Sequence, residues 1–99
     1  MASLFSSWAG VNVFGEGVVV RCSWPFARIG LDAESLTIDA LIRQFQIRFS
    51  DIERLEAGRL TVRVIHHATG VPRLINISGW RLPGRLRKAI VEHRLPVQL

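Results

Sequence analysis

The fold is decided by the stretch Arg43-Gln44-Phe45-Gln46-Ile47-Arg48-Phe49-Ser50-Asp51-Ile52-Glu53-Arg54-Leu55-Glu56. Polar and apolar residues alternate strictly from Gln44 to Phe49, which predicts a strand that is wet on one face. The alternation breaks at Ser50-Asp51 and resumes at Ile52, and Ser and Asp side chains readily hydrogen-bond nearby backbone at bends and bulges. We therefore expect this strand to turn a corner, as strands do where a small sheet curls over its own core.

The composition predicts a single small domain with a positive charge. The chain has 99 residues, 48% of them hydrophobic, and a net charge of +5 from 13 basic and 8 acidic residues. A domain of this length buries roughly 65% of the surface that its unfolded chain exposes, which is enough for one modest core. The positive charge makes anionic partners worth testing, although the arginines are spread from Arg21 to Arg94 rather than clustered.

Nothing in the sequence predicts secretion or a membrane span. Cys22 is the only cysteine, so an internal disulfide is impossible, and its apolar surroundings predict a buried, inert thiol. The first residues lack the positively charged start of a signal peptide, and no uncharged apolar run reaches the length of about 18 residues that a spanning helix needs. We therefore predict a cytoplasmic protein.

The rest of the chain predicts short antiparallel strands followed by one helix. Apolar alternation and β-branched content predict strands at 18–24, 26–31, 36–40, 60–66 and 73–78, while the turn at Leu41-Ile42 carries no Gly, Pro or Asn. The period then changes to that of a helix, with Pro83 near its start and Pro96 near its end. The predicted fold class is α+β and mainly β: a curled antiparallel sheet or partly open barrel of about five to seven short strands, closed by one C-terminal α-helix.

Residues 1–17 form an apolar segment ahead of the predicted 18–99 domain. An extended arm is one interpretation, and a short helix is the other, because one helical face would hold Leu4, Phe5, Trp8 and Val11. The predicted domain offers no obvious element to bury this segment, and exposed apolar patches usually mark interfaces. We therefore predict a homo-oligomer in which Leu4, Phe5 and Trp8 contribute to self-association. The open edge of the 18–24 strand offers further backbone groups for pairing between subunits.

Four stretches of the sequence carry a resemblance to a known family: 24–29 (Trp-Pro-Phe-Ala-Arg-Ile), 36–38 (Leu-Thr-Ile), 49–55 with its polar pair before an inward Ile, and 86–91 on the last helix. Their order resembles the pleckstrin-homology-like (PH-like) fold, and more closely the small bacterial PH-like domains of unassigned function. The resemblance implies a curled sheet closed by a C-terminal helix. It also implies ligands that lie along an exposed sheet edge, often peptides or other subunits.

Phosphoinositide binding is not expected at the first hairpin loop. PH domains that bind phosphoinositides do so with basic residues in and beside that loop. Here residues 31–35 contain Asp32 and Glu34 and no base, and Arg28 is the only cation nearby. Because phosphates bind where cations and free backbone N–H groups converge, an acidic loop repels them.

No constellation in the sequence predicts catalysis, a metal site or a cofactor. His66-His67 looks like a metal pair, but adjacent strand residues face opposite sides of a sheet, so both rings cannot easily reach one ion. Asp51 and Glu53 are interpreted as turn or surface charges, and no nucleophile is framed by a base at a recognisable spacing. We therefore predict that the protein is not an enzyme, with a small enzyme as the least favoured alternative.

The densest basic cluster lies on the predicted C-terminal helix: Arg81, Arg85, Arg87 and Lys88. Three of these, Arg81, Arg85 and Lys88, share one side of the helix. The simplest interpretation is a solvated outer face, and the alternative is a docking surface for an acidic protein, a nucleic acid or a membrane. Trp80 beside the cluster has three interpretations: it stacks a base, it lies at a membrane interface, or it plugs the end of the barrel against the helix. We favour the plug.

The leading functional hypothesis is a non-enzymatic binding or scaffolding module, for protein–protein contact or self-association. It rests on the absence of a convergent cluster of titratable residues in the sequence. The alternative is a binder of nucleic acid or anionic surfaces that uses the Arg-rich C-terminal helix. Salt dependence separates the two hypotheses, because phosphate contacts weaken steeply as salt rises.

Overall fold

The chain passes back and forth between two antiparallel sheets. The computed structural model describes residues 4–15, 17–23, 25–41 and 43–99, with all their side chains except that of Val18. The strands within these residues are β1 (Phe5–Trp8), β2 (Gly10–Gly15), β3 (Val18–Cys22), β4 (Ala27–Leu31), β5 (Ser35–Ala40), β6 (Arg43–Arg48), β7 (Ile52–Ala57), β8 (Thr61–His66) and β9 (Leu74–Ser78). A 3-10 turn (Phe49–Asp51) joins β6 to β7, and the helix α1 (Leu82–Glu92) follows β9.

The two sheets enclose one core. The first sheet has the strand order β1-β4-β5-β6, and the second has the order β3-β2-β9-β8-β7. Inward side chains alternate along the strands of both sheets, and fully buried examples are Ile29, Ile38 and Ile47 from the first and Val13 and Ile75 from the second. The prediction of a mainly β fold with one C-terminal helix is confirmed. The sheets are two, however, and they are not closed into a barrel.

The strands outnumber the prediction because continuous lengths of chain contribute to both sheets. Only Ala9 separates β1 in the first sheet from β2 in the second, and residues 23–26 separate β3 from β4 in the same way. The third such corner is the predicted one, because the alternating stretch ends in the 3-10 turn and β7 begins at Ile52. The pairing of β7 with β8 also shifts register between Ile52 and Arg54, as expected of a bulge.

The helical interpretation of the N-terminal segment is wrong. Phe5–Trp8 pairs with β4, and Gly10–Gly15 pairs with both β3 and β9, which belong to the predicted 18–99 domain. The buried side chains of this segment follow a period of two, at Ser7, Ala9, Val11 and Val13. A short apolar run fits both periods, and here the hydrogen-bond partners in two sheets decide for strands.

The C-terminal helix begins and ends with recognisable signals. Pro83 lies in the first turn, where a missing N–H is harmless, and the apolar face buries Leu86 and Ile90 against the core. The Leu95 N–H donates to the Ile90 carbonyl at 3.0 Å and the Arg94 N–H to the Val91 carbonyl at 3.3 Å. Arg94 is left-handed with a φ of 51°, so these bonds form a Schellman motif.

The tail after α1 runs beside the second sheet. The Leu55 N–H of β7 donates to the Gln98 carbonyl at 2.9 Å, and Val97 and Leu99 pack, partly buried, against the core. The tail therefore covers part of the outer edge of β7. None of the helices in the described residues has the length and apolarity that crossing a bilayer requires.

Candidate functional site

Among the described residues, the two open sheets have four edge strands, which differ in their charge and in what lies against them. β1 lies beside the start of α1, where the Arg85 guanidinium is 5.6 Å from the centroid of the Phe5 ring. β6 exposes its polar side chains, among them Arg43 and Arg48. β7 exposes Glu53, Arg54 and Glu56 and is paired in part by the tail. Charges and covering segments of these kinds discourage pairing with another chain.

The fourth edge, β3, differs from the other three. Its sequence is Val-Val-Val-Arg-Cys, so Arg21 is its only charged residue. The Arg21 Nε donates to the Asn12 Oδ1 at 3.2 Å, which holds the guanidinium against the neighbouring strand β2. Val19 is 67% exposed on the outer face, and Val20 and Cys22 are half-buried on the inner face. The described part of this edge is therefore apolar and unprotected.

A groove separates β3 from the turn between β5 and β6. It has a volume of about 270 Å³, and its lining is mainly apolar (Val19, Val20, Cys22, Ala40 and Leu41) but includes Arg21 and Arg43. Leu41 is 63% exposed, and its N–H donates to the carbonyl of Phe26, another exposed apolar residue, at 2.8 Å. The β3 edge therefore continues into a mainly apolar surface that Arg43 borders. We call the edge strand, the groove and these two side chains the β3 surface.

Leu41 combines apolar exposure with an unfavourable backbone. Its φ is 56°, in the left-handed region that costs a residue other than glycine about 1–2 kcal/mol. Asn or Gly is the usual residue at such a position, and a polar side chain is usual at an exposed turn. Folding alone gives no reason for leucine here, and outliers of this kind cluster at binding sites.

The residues predicted for self-association differ in how far they are buried. Leu4 and Phe5 are half-buried and pack against the core, and Trp8 is 52% exposed. The Arg28 guanidinium lies 5.5 Å from the centroid of the Trp8 ring. Self-association through these three residues stays a prediction. The sequence did point to the β3 edge, but it gave no sign that Phe26 and Leu41 lie beside it.

The helix places the residues of the predicted basic cluster on two different sides. Arg81 and Arg85 lie on the flank next to Phe5 and Trp80, and Lys88 follows on that flank, 3.9 Å from the Glu92 carboxylate. Arg87 is two positions beyond Arg85 and therefore about 200° around the helix from it. The interpretation of Trp80 as a plug is wrong, since its side chain is 75% exposed under the Arg81 guanidinium. Gly79, the neighbour of Trp80, has no side chain, so the Leu82 side chain fills the core at that end.

The side chains of His66 and His67 face opposite sides of the second sheet. The His66 ring is buried, with its Nε2 2.9 Å from the Pro72 carbonyl and its Nδ1 accepting the Ala68 N–H at 3.0 Å. Both ring nitrogens are therefore engaged by backbone. His67 is exposed, 3.5 Å from the Asp51 carboxylate. Within the described residues, no group of three His, Cys, Asp or Glu side chains could hold a metal ion.

In the first hairpin loop, the Asp32 carboxylate stabilises the turn. The Asp32 carboxylate accepts the N–H groups of Glu34 and Ser35, both at 2.7 Å, and these bonds, with the Glu34 N–H first, hold its pKa below the usual range. This contribution to stability is present above the ordinary pKa of Asp and is lost as the pH falls through the lowered value. Beside the loop, a concavity of about 250 Å³ lined by Arg28 and Asp39 is smaller than typical small-molecule pockets.

Comparison with family models, curated proteins and solved structures finds no match to this chain. The resemblance to PH-like domains therefore stays a prediction.

Proposed function

We propose that the protein is a non-enzymatic binding module that associates with a second copy of itself along β3. The observation that supports this proposal is the contrast among the four sheet edges. β6 and β7 carry several exposed charges, β7 is also paired by the tail, and β1 has the Arg85 guanidinium against its Phe5 ring, whereas β3 is mainly apolar and borders a mainly apolar groove. An open apolar edge without a partner is an aggregation hazard, which proteins normally avoid.

A two-fold antiparallel pairing centred on Val20 suits the chemistry of this edge. In that register Val20 lies opposite Val20 of the second copy, and Val19 lies opposite Arg21 of the second copy. The two arginines therefore do not face each other, and like charges opposite one another would destabilise the pair. The inner side chains of the added strand extend the apolar lining that Val20, Cys22 and Leu41 begin.

The expected dimer is weak and responds to salt. A five-residue strand with two flanking side chains lies at the small end of specific interfaces, below about 1,200 Å² of buried surface, so we expect a dissociation constant in the micromolar range. The charge of +5 on each copy repels the other copy. Salt screens this repulsion, so association strengthens from low to physiological ionic strength.

Sedimentation and light scattering over a range of micromolar concentrations test the proposal. We expect the mass of the natural chain to rise with concentration from 11.1 kDa towards twice that value. Val19→Arg places a charge opposite Arg21 of the second copy and should leave a monomer. The matched control is Val91→Arg, because Val91 is 69% exposed on α1, away from β3. A monomer at every concentration, or equal effects of the two variants, would overturn the proposal.

We further propose that the fold is PH-like. The support for it is the combination of two antiparallel sheets with one helix at the C-terminal end. An experimental structure tests this relation, since a helix packed elsewhere than against the open end of the sheets would contradict it.

A further inference from the structure

A second exposed surface pairs tryptophan with arginine twice. Trp8 lies under the Arg28 guanidinium at 5.5 Å, and Trp80 lies under the Arg81 guanidinium at 5.6 Å. The two pairs adjoin, because a Cβ on Gly79, the neighbour of Trp80, would be 3.7 Å from the Trp8 carbonyl oxygen. Arg85 lies one turn along α1 from Arg81. We call Trp8, Arg28, Trp80, Arg81 and Arg85 the Trp–Arg patch.

The patch keeps most of its positive charge. Among the described residues, no carboxylate forms an ion pair with Arg28, Arg81 or Arg85. The Arg28 Nε and Nη2 both donate to the Ser6 hydroxyl, and Asp39, its cross-strand partner on β5, lines the same concavity and offsets part of its charge. Three guanidinium groups beside two exposed indoles therefore form a cationic, aromatic surface.

Two features of the patch have no basis in folding. Trp80 is 75% exposed, although tryptophan contributes most to stability when its large apolar surface is buried. Arg81 precedes the helix with a left-handed φ of 54° and makes no capping hydrogen bond through its side chain. Asn or Gly would suit that backbone better. Strained backbone and exposed aromatic surface together indicate a binding role.

We infer that the Trp–Arg patch binds single-stranded nucleic acid. Each indole offers a stacking surface for an unpaired base, and the guanidinium beside it can bind the adjacent phosphate with charge-assisted hydrogen bonds. Unstacked bases are required, so a duplex, whose bases are already stacked, can use only the charges. This inference is independent of the pairing along β3, which involves none of these residues.

An anionic bilayer is the main competing partner. Leu60, whose carbonyl accepts the Gly79 N–H at 2.9 Å, is also exposed beside the patch, and a bilayer would accept its side chain. The guanidinium groups, however, lie over the indole rings, so inserting either ring would draw a charge towards the hydrocarbon. A nucleic acid strand needs that same adjacency of ring and cation. The geometry therefore favours the strand.

The test compares two double variants that lose the same charge. Arg81→Asn with Arg85→Gln alters the patch, whereas Arg43→Gln with Arg48→Gln alters β6, at the opposite edge of the first sheet. Because Arg43 also lines the groove beside β3, all proteins are compared in the Val19→Arg background, which is not expected to dimerise. Binding of a fluorescein-labelled oligothymidylate is followed by fluorescence anisotropy from low to physiological salt. We expect the patch variant to bind at least tenfold more weakly, with a slope of log K against log salt that is less negative by about 1.4 for two lost phosphate contacts. The β6 variant should bind within twofold of the Val19→Arg parent.

A third variant separates stacking from charge. Trp80→Ala leaves the charge intact, so we expect about fivefold weaker binding or more, weaker tryptophan quenching by the oligonucleotide because only Trp8 remains in the patch, and an unchanged salt slope. Absence of binding at low salt, or equal weakening by both double variants, would overturn the inference. So would binding to phosphatidylserine vesicles or duplex DNA that is as tight as binding to the single strand. All substituted side chains are exposed, and circular dichroism confirms folding of each variant.

Discussion

The two edge strands of the five-stranded sheet, β3 and β7, differ in how they are protected from pairing with another chain. β7 is protected twice, by exposed charges on the strand and by the tail that hydrogen-bonds to Leu55. β3 has neither protection: its one charge, Arg21, is held by Asn12, and its neighbours Leu41 and Phe26 are apolar and exposed. The same chain thus contains effective ways to block an edge and applies them to only one side. This difference is the physical basis for treating β3 as a pairing edge.

Removing the protection of β7 should have the largest effect. Deleting residues 97–99 removes the Gln98 carbonyl and the partly buried Val97 and Leu99. We expect the free energy of unfolding to fall by about 2 kcal/mol, since a fully buried aliphatic side chain contributes about 1.5–3 kcal/mol and these are only partly buried. Urea unfolding at concentrations too low for association measures it.

The same truncation tests whether the tail protects the edge. Gln98→Ala is the control, because it keeps the backbone carbonyl and should change stability little. In the Val19→Arg background, the truncated chain should self-associate again, now through β7. If that chain stays monomeric at high concentration, the exposed charges of β7 are enough to block the edge and the tail contributes to stability only.

The side chain beside the β3 groove should separate stability from association. Leu41→Asn relieves the left-handed backbone, so we expect the free energy of unfolding to rise by about 0.5–1 kcal/mol while self-association weakens several-fold. Leu60→Asn is the control, an exposed leucine that does not have a positive φ. Chemical unfolding and sedimentation measure the two quantities. A variant that gains stability and keeps its dimer would remove Leu41 from the interface.

Sequence reasoning identified those parts of the fold that have local signals. The alternation before Phe49 and the Ser50-Asp51 break gave the corner between β6 and β7, and Pro83 marked the start of the helix. The corner at Ala9 has no such signal, because a small apolar residue fits a strand, a corner or a helix equally well. Assigning it requires knowing that β2 pairs with β3 and β9, which are distant in sequence.

The candidate surfaces were less predictable for a related reason. The absence of Gly, Pro and Asn at Leu41 was visible in the sequence, but it was a sign of strain only once the turn conformation was known. Trp80 was interpreted as a plug at the end of the barrel, and only the positions of Gly79 and Leu82 show that the core is closed without it. Exposure depends on which neighbours fill the same space, and that is a property of the assembled fold.

Strengthening the turn that leads to the tail should make β7 a better protected edge and so increase its difference from β3. Arg94 has a φ of 51° at the Schellman position, where glycine is the usual residue. Arg94→Gly should raise the free energy of unfolding by about 0.5–1 kcal/mol and slow hydrogen exchange at the Leu55 amide. Arg87→Gly, inside the same helix, should lower stability by a similar amount. If both substitutions destabilise, the left-handed turn is not a source of strain.

The smallest predicted effect is the most specific, because its sign reports the register of pairing. In a dimer centred on Val20, Val19→Glu faces Arg21 of the second copy twice by symmetry. An opposite-charge pair across strands contributes about 0.2–1 kcal/mol, so we expect dimerisation to tighten by a few-fold, whereas Val19→Arg abolishes it. In a register centred on Val19, two glutamates would face each other and the dimer would weaken instead.

The double variant Val19→Glu with Arg21→Gln is the control. The gain in dimer affinity from Val19→Glu should disappear when the arginine is absent. Sedimentation at physiological salt measures each step, and a gain that survives the loss of Arg21 would assign the effect to net charge and not to pairing along β3.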